Sequence, residues 1–500
     1  MTVAQLVAAL NGQVDIVEYR GGLERLVTAI TDDSRAVAGG SLFVAVKGER
    51  VDGHDFVTQA MQAGAVAVVS QRPVETGSLP LVRVADSRKA LGLIGSRFYG
   101  DPSAHVNMIG VTGTNGKTTT TYICKALLEG IGRRVGLIGT VAYQIGSETI
   151  PASHTTPGAL ELQGLLAKMT QAGLNSVVME VSSHALAMDR TAGCEYDVAV
   201  FTNLTQDHLD YHRTMEEYFQ AKQRLFTGLG AGKKVGKLAV VNMDDPYGAK
   251  IRAACRVPVW GYAVTNKADL KAEHVRLSMN GTIFTAATPA GTFTIESRLV
   301  GEHNVYNMLA AVGVALHAGA TCDQVREAVA RVTNVPGRFE MVSAGQDFMV
   351  VVDYAHTEDA LLRLLTAAQA VKTQRIITVF GCGGDRDRGK RPKMGRTAVE
   401  RSDVVVLTSD NPRTEDPMAI LREVEVGVRE ALQRRSHVEY HLVPDRREAI
   451  MVAVRLARTG DIVLIAGKGH EDYQIIGTKK FRFDDREVAR EAIQHLRNCA

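Results

Sequence analysis

The chain has few aromatic residues, few cysteines and little net charge, and each shortage excludes a class of protein. Aromatic side chains make up 5% of the 500 residues, and the formal net charge is +3. Because no basic cluster is interleaved with aromatic side chains, nothing in the composition favours nucleic-acid binding. The six cysteines form no Cys-x-x-Cys pair, so the sequence predicts free thiols in a reducing compartment and no zinc site.

Long apolar runs are also missing. No run approaches the roughly 20 residues that a helix needs to span a bilayer, and the N-terminus has no charged-then-apolar signal pattern. We therefore expect a cytoplasmic protein without membrane insertion. Hydrophobic residues at 45% and charged residues at 23% are ordinary globular values, and the length predicts about three domains.

The most distinctive stretch that is present runs from Ile109 to Thr119 and reads IGVTGTNGKTT. An apolar run leads into a glycine-rich turn, then Lys117 and Thr118, then a helical segment over 120–128. This is the layout of a phosphate-binding loop, in which the lysine reaches the β/γ-phosphates and the threonine hydroxyl binds Mg²⁺. The usual pattern has glycine where Val111 stands, so an ordinary glycine-rich turn is the alternative.

Short Val/Ile-rich runs alternate with helix-length amphipathic segments, which predicts an α/β fold with largely parallel sheets. Seven of these runs are followed at once by polar residues: 106–111, 177–181, 198–201, 349–352, 376–380, 404–407 and 462–465. Open α/β sheets bind ligands at the carboxyl ends of their strands. The polar residues after these runs are therefore the candidate site.

Two composition breaks divide the chain. Asp101-Pro102-Ser103 precedes the strand of the phosphate-binding loop, and Pro336-Gly337 interrupts a helical stretch. We predict a small N-terminal α/β domain over 1–103, a central parallel-sheet domain of the P-loop type over 104–335, and a Rossmann-like C-terminal domain over 336–500.

Candidate catalytic residues lie in the central domain. Glu180 and His208 end or follow buried strands, and with Thr118 and phosphate oxygens they are able to hold a divalent metal. Taken alone, each residue is better explained as a structural polar group that caps a loop, and the neighbouring phosphate-binding loop is what favours the metal role. Lys222 lies in an amphipathic helical segment over 215–226, where the sequence by itself favours a solvated lysine.

Two further groups allow two interpretations each. A predicted helix begins with His303, Asn304 and Asn307. These residues either cap the helix or contact a nucleotide base. The segment 410–413 (DNPR) is typical of a turn, but Arg413 also offers a fork that matches a carboxylate. With Arg386 and Glu471 from neighbouring strand ends, this segment would form a pocket of both charge signs, which suits a zwitterionic amino acid.

The motifs together resemble the Mur ligase family, in that family's order and over residues 31–471. The motifs that carry the resemblance are 112–119, 180–184, Thr202-Asn203 with Asp207-His208, Lys222, His303-Asn304 with Asn307, and 353–356. Within the family, the segments 383–387, 410–413 and 467–471 resemble members that use 2,6-diaminopimelate. The resemblance implies an ADP-forming amide ligase with a role in peptidoglycan synthesis, cell-wall biogenesis, cell shape and cell division.

The resemblance also implies a role for each matched residue. Residues expected to bind ATP are Gly113, Thr114, Asn115, Gly116, Lys117, Thr118, Thr119, Asn304, Arg338 and Asp353. Catalytic residues are Lys117, Glu180, His208 and Lys222, and two Mg²⁺ ions are expected on Thr118, Glu180, His208 and carbamylated Lys222. Residues expected to contact UDP-N-acetylmuramoyl-L-alanyl-D-glutamate are Ser34, Glu49, Arg50, Val51, Thr155, Thr156, Ser182 and Arg190. Those expected to hold meso-diaminopimelate are Arg386, Asp410, Asn411, Pro412, Arg413, Gly467 and Glu471.

His154 and Met188 depart from the family pattern, which has Asn and Gln at sugar-nucleotide contacts, and we leave both out of the site. Three alternatives stay open: a ligase that adds lysine, a ligase that extends folate, and a nucleotide-dependent switch without ligase chemistry. The DNPR segment argues against the first two. We expect a monomer.

Overall fold

The computed structural model describes residues 1–48 and 51–499. The chain divides into two compact units, Met1–Asp269 with Ala310–Ala320, and Leu270–Leu309 with Thr321–Ala500. No helix in the described part of the chain is long and apolar enough to cross a membrane.

The N-terminal hundred residues fold around a five-stranded sheet of order β1-β5-β4-β3-β2. The strands are β1 (Ile16–Arg20), β2 (Ala29–Thr31), β3 (Ser41–Val44), β4 (Ala65–Ser70) and β5 (Leu81–Val84). All neighbours are parallel except β1, which pairs antiparallel with β5. Three helices accompany the sheet: α1 (Val3–Val7), α2 (Val57–Gln62) and α3 (Ser87–Phe98). Residues 1–100 thus form an α/β arrangement, and their status as a separate domain stays a prediction.

The rest of the first unit is built on a second sheet, with strand order β13-β12-β11-β6-β10-β7-β8-β9. These strands are β6 (Asn107–Thr112), β7 (Val135–Ile138), β8 (Ala142–Ile145), β9 (Glu148–Pro151), β10 (Ser176–Glu180), β11 (Val198–Phe201), β12 (Leu238–Asn242) and β13 (Val259–Ala263). The strands from β13 to β7 are parallel, and β8 and β9 add antiparallel hairpins. The helices are α4 (Lys117–Gly130), α5 (Ala159–Gln171), α6 (Ser183–Ala187), α7 (Leu209–His212), α8 (Met215–Thr227) and α9 (Gly248–Ala254).

The centre of this sheet determines where the loops meet. In register, Glu180 pairs with Val111 across β10 and β6, and Phe201 pairs with Thr112 across β11 and β6. The loops that follow β10, β6 and β11 therefore leave one edge of the sheet side by side.

The second unit begins with an antiparallel meander of β14 (Leu270–Ser278), β15 (Gly281–Thr288) and β16 (Gly291–Ser297). Two helices follow, α10 (Glu302–His317), which belongs in part to each unit, and α11 (Cys322–Arg331). The predicted helix that His303 and Asn304 open is confirmed.

The remainder is a six-stranded sheet of order β17-β18-β22-β19-β20-β21, parallel except for β17. Its strands are β17 (Glu340–Met341), β18 (Met349–Asp353), β19 (Ile376–Phe380), β20 (Val404–Leu407), β21 (Glu439–Leu442) and β22 (Ile462–Ala466), and a separate hairpin has β23 (Tyr473–Ile476) and β24 (Lys479–Arg482). The helices are α12 (Glu358–Val371), α13 (Lys390–Arg401), α14 (Pro417–Leu432), α15 (Arg446–Leu456) and α16 (Asp485–Cys499). Apolar clusters cover both faces of the sheet, which is typical of a Rossmann-like domain.

The predicted fold class is confirmed, and all seven strands fall within a residue or two of their predicted bounds. The helix after the phosphate-binding loop begins at Lys117 rather than at Thr120. Tertiary burial of Thr118 to Thr121 offsets the weak helix propensity of threonine. The boundaries of the three predicted domains stay a prediction.

Candidate active site

The glycine-rich loop connects β6 to α4 and has the backbone of a phosphate-binding loop. Gly113 has a φ of +151°, and a Cβ there would meet Thr202 Oγ1 at 1.8 Å. Gly116, with a φ of +85°, is the N-cap of α4. The N–H of Asn115 donates to Asn203 Oδ1 at 3.0 Å, and Thr202 Oγ1 donates to the Asn115 carbonyl at 2.7 Å. These contacts hold the loop at a helix N-terminus, where backbone N–H groups and the helix dipole favour an anion.

The threonines of the loop are held from the other side by α8. Thr114 Oγ1 lies 3.1 Å from the Tyr218 hydroxyl, and Thr118 and Thr119 are buried in the first turn of α4. Tyr218 was not among the predicted site residues. Its position four residues before Lys222 places it on the same helix face.

Two lysine ammonium groups converge on one carbonyl oxygen of this loop. Lys117 Nζ donates to the Gly113 carbonyl at 2.9 Å and to the Thr114 carbonyl at 2.8 Å. Lys222 Nζ donates to the same Gly113 carbonyl at 2.8 Å and lies 4.5 Å from the centroid of the Tyr218 ring. Burial lowers the pKa of Lys222 well below its usual value, and the Lys117 charge lowers it further.

The expectation of a solvated lysine at position 222, made on the sequence by itself, is wrong. Lys222 is 1% exposed. It shares the buried face of α8 with Tyr218 and Leu225, at the i−4 and i+3 positions that lie on one side of a helix. This spacing was the signal in the sequence that could have placed Lys222 inside.

Glu180 ends β10 with a buried carboxylate that is fixed by one residue. Thr140 donates to it twice, from its N–H to Oε1 at 2.9 Å and from its hydroxyl to Oε2 at 3.0 Å. Gly139 allows the approach, since a Cβ there would meet Glu180 Oε1 at 2.5 Å. Thr140 was also missed, although it follows β7 at the carboxyl edge of the same sheet, where the other candidates were found.

His208 begins α7 with a left-handed backbone, φ +55°. Its ring meets the His184 ring edge to face, with centroids 4.8 Å apart, and its Nε2 lies 3.3 Å from Asp207 Oδ2. Partial burial lowers the pKa of His208, and the charges of Lys117 and Lys222 act in the same direction. A neutral imidazole is the form that binds a metal.

The donor set fits a magnesium site only in combination with a nucleotide. Among residues 1–48 and 51–499, no three His, Cys, Asp or Glu side chains form a metal-binding group. Glu180 and His208 supply one carboxylate and one imidazole, and Thr118 supplies a hydroxyl. Mg²⁺ is commonly held by one or two protein carboxylates together with substrate phosphates and waters, so this set suits a metal that arrives with ATP.

Four residues predicted to contact the UDP-dipeptide surround Glu180. Thr155 Oγ1 lies 3.0 Å from Thr140 Oγ1, and Thr156 Oγ1 donates to the Glu180 carbonyl at 2.8 Å. The Ser182 N–H donates to Thr156 Oγ1 at 3.0 Å. The guanidinium of Arg190 donates to the carbonyl of Thr156 at 3.3 Å. The structure brings this set together with the candidate metal ligand.

The other predicted UDP-dipeptide residues lie in the N-terminal domain. Ser34 donates through its hydroxyl to Gln59 Oε1 at 3.3 Å, and Val51 is 58% exposed. Glu49 and Arg50 lie outside the described residues.

Three residues predicted to face the nucleotide lie in the second unit. Asn304, which is inside α10 rather than at its N-cap, donates its amide to the Val300 carbonyl at 2.8 Å. The Arg338 guanidinium stacks 4.6 Å from the Tyr354 ring centroid. Asp353 Oδ2 accepts the Phe339 N–H at 2.7 Å, and burial raises the pKa of Asp353.

The predicted amino-acid pocket contains a buried ion pair. Glu471 Oε2 accepts from Asn411 Nδ2 at 2.9 Å and from Lys468 Nζ at 3.0 Å. Lys468 is fully buried and also donates to Asn411 Oδ1 at 3.3 Å. Lys468 lies in the segment 467–471 that carries the resemblance, but it was not among the predicted site residues.

The positive side of this pocket is Arg413, which has a left-handed φ of +52° and is held by the neighbouring hairpin. Its N–H donates to the Ile475 carbonyl at 3.0 Å, and its guanidinium donates to the Gly384 carbonyl at 2.7 Å. Asp410 is buried beside Gly467, where a Cβ would meet Asp410 Oδ2 at 2.6 Å.

The two remaining predicted acceptor residues differ in burial. Pro412 is buried. Arg386 is exposed after β19 and donates to the carbonyl of Asp385 at 3.0 Å.

A phosphate-binding loop at the carboxyl edge of one parallel sheet, with a pocket of both charge signs at the strand ends of another, is the arrangement expected of an ATP-dependent ligase of α/β class. Comparison with family models identifies which one. The Mur ligase middle domain matches residues 111–315, the domain described as Mur ligase, glutamate ligase domain matches 337–469, and the Mur ligase family catalytic domain matches 26–99. The chain belongs to the Mur ligase family, as its motifs predicted.

Individual relatives are similar over nearly the whole chain. A UDP-N-acetylmuramoyl-L-alanyl-D-glutamate–2,6-diaminopimelate ligase from Geobacillus thermodenitrificans is 50% identical over 481 residues, 96% of this chain and 97% of the relative. The protein of the same name from Geobacillus kaustophilus is 48% identical over 478 residues, 95% of this chain and 96% of the relative. A solved structure of a ligase of that name has 34% identity and a TM-score of 0.72, and covers 99% of this chain and 100% of its own.

Proposed function

We propose that this chain is the ATP-dependent ligase that joins meso-2,6-diaminopimelate to UDP-N-acetylmuramoyl-L-alanyl-D-glutamate, releasing ADP and phosphate, in the synthesis of peptidoglycan precursors. Near full-length similarity to relatives of that activity supports the reaction. The observation that carries the choice of amino acid is the pocket of Asp410, Asn411, Arg413 and Glu471, which offers charges of both signs to a zwitterion.

The chemistry requires activation, because a carboxylate and an ammonium do not condense in water. The D-glutamyl carboxylate attacks the γ-phosphorus of ATP, the bond to the β-phosphate oxygen breaks, and ADP leaves. The product is an acyl phosphate. The neutral amine of diaminopimelate attacks its carbonyl carbon, the C–N bond forms, phosphate leaves with the C–O electron pair, and the amine nitrogen loses a proton.

Charge accumulates on the phosphoryl oxygens during the transfer, and Lys117 is the residue placed to neutralise it. Its ammonium already lies at the Gly113 and Thr114 carbonyls of the loop, within reach of a phosphate group held at the N-terminus of α4. Mur ligases use ATP with Mg²⁺, which when bound neutralises phosphate charge and orients the transferring group.

We assign the metal-facing roles to Thr118, Glu180, His208 and carbamylated Lys222, at two Mg²⁺ sites. Carbamylation needs a neutral amine that attacks CO₂ and then loses a proton. The lowered pKa of Lys222 favours that form. Thr140 holds the Glu180 carboxylate in one orientation, and Thr155, Thr156, Ser182 and Arg190 form the adjoining UDP-dipeptide contacts.

The proposal also includes the predicted cytoplasmic location and monomeric state.

The proposed reaction is tested by measuring ADP release with each co-substrate alone and with both together. A panel of acceptors follows: meso-diaminopimelate, lysine, and a folate with glutamate. ADP release that needs both the UDP-dipeptide and meso-diaminopimelate supports the proposal. Release independent of both would instead indicate a nucleotide-dependent switch, and preference for another acceptor would reassign the substrate.

A further inference from the structure

Lys468 is a fully buried charge that the proposed acceptor contacts do not use. It follows β22 and lies inside the C-terminal fold, with its ammonium 3.0 Å from Glu471 Oε2 and 3.3 Å from Asn411 Oδ1. Burying an ammonium is costly unless it is paired and hydrogen-bonded. Here both partners are residues expected to contact the acceptor amino acid.

The contacts determine how the Asn411 amide is oriented. Its oxygen accepts from Lys468 Nζ and from the N–H of Ile475 at 2.9 Å, so its nitrogen must face Glu471. An amide turned the other way would place its NH₂ group against two donors. The Ile475 N–H and Lys468 therefore hold the Asn411 amide in this orientation together.

The same contacts leave the two oxygens of Glu471 unequal. Oε2 receives both Lys468 Nζ and Asn411 Nδ2, whereas Oε1 receives no hydrogen bond from any residue in the ranges 1–48 and 51–499. The Glu471 side chain is 16% exposed, and Oε1 is the oxygen left with its hydrogen-bonding capacity for an incoming ammonium group.

We propose that Lys468 is a positioning residue for the amino-acid acceptor. It holds the Glu471 carboxylate beside Asn411 so that Glu471 Oε1 accepts a hydrogen bond from an ammonium group of a zwitterionic amino acid, and it does not itself touch that amino acid. The inference rests on the proposed function and adds a residue to its acceptor recognition. Without Lys468, the Glu471 carboxylate would keep only its hydrogen bond from Asn411 Nδ2 and would lose its charged partner.

The test is steady-state kinetics of Lys468→Met, with each of the three substrates varied in turn. The KM for meso-diaminopimelate should rise by at least about tenfold, because a buried, hydrogen-bonded charge partner has been removed. The KM values for ATP and the UDP-dipeptide should stay within about twofold, since truncating a side chain at one subsite leaves distant, independent sites unchanged. Lys468→Arg, which keeps the charge, should recover part of the loss. An unchanged KM for diaminopimelate, or equal rises for all three substrates, would overturn the proposal.

Lys480→Met is the matched control. Lys480 is exposed on β24 and lies 3.5 Å from the centroid of the Tyr473 ring, while Lys468 lies 5.3 Å from the same centroid. The control removes a lysine from the same aromatic ring without touching Glu471 or Asn411. It should leave all three KM values unchanged, and a rise in the diaminopimelate KM equal to that of Lys468→Met would contradict a specific role for Lys468.

A second pair of variants separates positioning from a purely structural role. The two proteins compared are the single variant Glu471→Gln and the double variant that carries Glu471→Gln and Lys468→Met. Thermal unfolding first confirms that both are folded. If Lys468 acts through Glu471, the two have nearly equal KM values for diaminopimelate, because coupled residues are not additive. A further loss in the double variant, multiplying the effect of Glu471→Gln, would refute the inference even if Lys468→Met alone does not fold.

The activity of the wild-type enzyme distinguishes a failure of the proposed function from a failure of the proposed role of Lys468. If it makes no product with meso-diaminopimelate, the proposed function fails, and the inference fails with it. If it uses meso-diaminopimelate and Lys468→Met has the wild-type KM, only the role of Lys468 fails.

Discussion

At the phosphate-binding loop, Lys117 and Lys222 donate to one carbonyl oxygen, that of Gly113. The two lysines have different chemistry. Lys117 is the first residue of α4, at the helix N-terminus where phosphate groups are commonly bound. Lys222 is buried beside it, and both the burial and the neighbouring charge disfavour its protonated form. One lysine is therefore suited to neutralise phosphate, and the other to react as a neutral amine.

Replacing Lys117 by alanine should reduce turnover by roughly 10²- to 10³-fold or more, because a charge aimed at the transferring phosphoryl group is lost. Circular dichroism and thermal unfolding should show a folded protein. ADP release at a near-normal rate from a folded Lys117→Ala variant would refute the phosphate-loop assignment.

Lys222→Ala should lose activity, and small carboxylates such as formate or acetate should restore part of it by replacing the carbamate. The wild-type protein equilibrated with ¹³C-bicarbonate should give a carbamate NMR signal that the variant lacks. Lys250→Ala is the control, since Lys250 on α9 is a surface lysine with a 58% exposed side chain. Full activity in Lys222→Ala would show that the buried amine has no catalytic role.

At the scale of elements, the two ends of α4 carry glycines with positive φ for different reasons. Gly113, in the loop before the helix, has Thr202 against the position of its missing Cβ. Gly132, just past the other end, has a φ of +81° but nothing within 4 Å. The first glycine is required by close packing, the second only by backbone conformation.

Gly113→Ala should therefore raise the KM for ATP strongly, since the loop must move away from Thr202. Gly132→Ala is the matched control. It should cost about 1 kcal/mol of stability through its strained φ and leave the KM for ATP unchanged. Equal ATP kinetics in the two variants would contradict the assigned loop geometry.

We expect the stability of the protein to depend on pH through His303, in the first turn of α10. Burial lowers the pKa of His303 to about 4 from an ordinary value of 6.5, and the Arg363 charge adds to the shift. Because the unfolded chain binds the proton more readily, stability is full above pH 6.5 and falls as the pH decreases towards 4. A cationic side chain at a helix N-terminus is unfavourable as well.

Denaturant unfolding at pH 7 and pH 5 checks this dependence. The wild type should lose about 2 kcal/mol more than His303→Gln over that range, by the linkage between pKa and stability. Parallel stability curves for the two proteins would show that His303 does not titrate on unfolding.

At the scale of the whole molecule, each unit has a parallel sheet with polar groups at the carboxyl ends of its strands. The first unit has the phosphate-binding loop, Glu180 and His208. The second has the predicted acceptor pocket around Asp410, Arg413 and Glu471. If these assignments hold, the phosphate groups and the acceptor amino acid are bound at different sheets, and a variant at Arg413 should affect mainly one substrate.

The wild-type enzyme should use meso-diaminopimelate and almost ignore lysine, which lacks the second carboxylate. We expect the partly buried Arg413, together with the exposed Arg386, to pair with that carboxylate, so bound lysine would leave the Arg413 guanidinium without this partner. A site built for a polar group can reject the analogue that lacks it by roughly 10⁴-fold.

Arg413→Ala should weaken diaminopimelate far more than ATP or the UDP-dipeptide. Arg388→Ala is the control, since Arg388 pairs with Glu423 on the exposed surface of the same domain. Comparable kcat/KM values for lysine and diaminopimelate in the wild type would refute the assignment, as would an Arg413→Ala defect spread over all three substrates.

The sequence by itself determined the fold class, the strands and the loops that carry chemistry. Parallel strands buried on both faces read as continuous Val/Ile runs, so β11, β19 and β20 were predicted with their observed bounds. Open α/β sheets bind ligands at the ends of such strands, which is why Glu180, Asp410 and Glu471 could be predicted as site residues from the sequence.

Only the tertiary structure decided which side chains are buried and what they contact. Lys222 meets Gly113 across 109 residues of sequence, and Lys468 meets Asn411 across 57. A local pattern contains neither the partner nor its distance. Burial of a charge depends on such distant partners, because they alone offset its desolvation. Helix spacing could indicate that Lys222 lies on the buried face of α8, but only the folded chain shows what Lys222 and Lys468 contact.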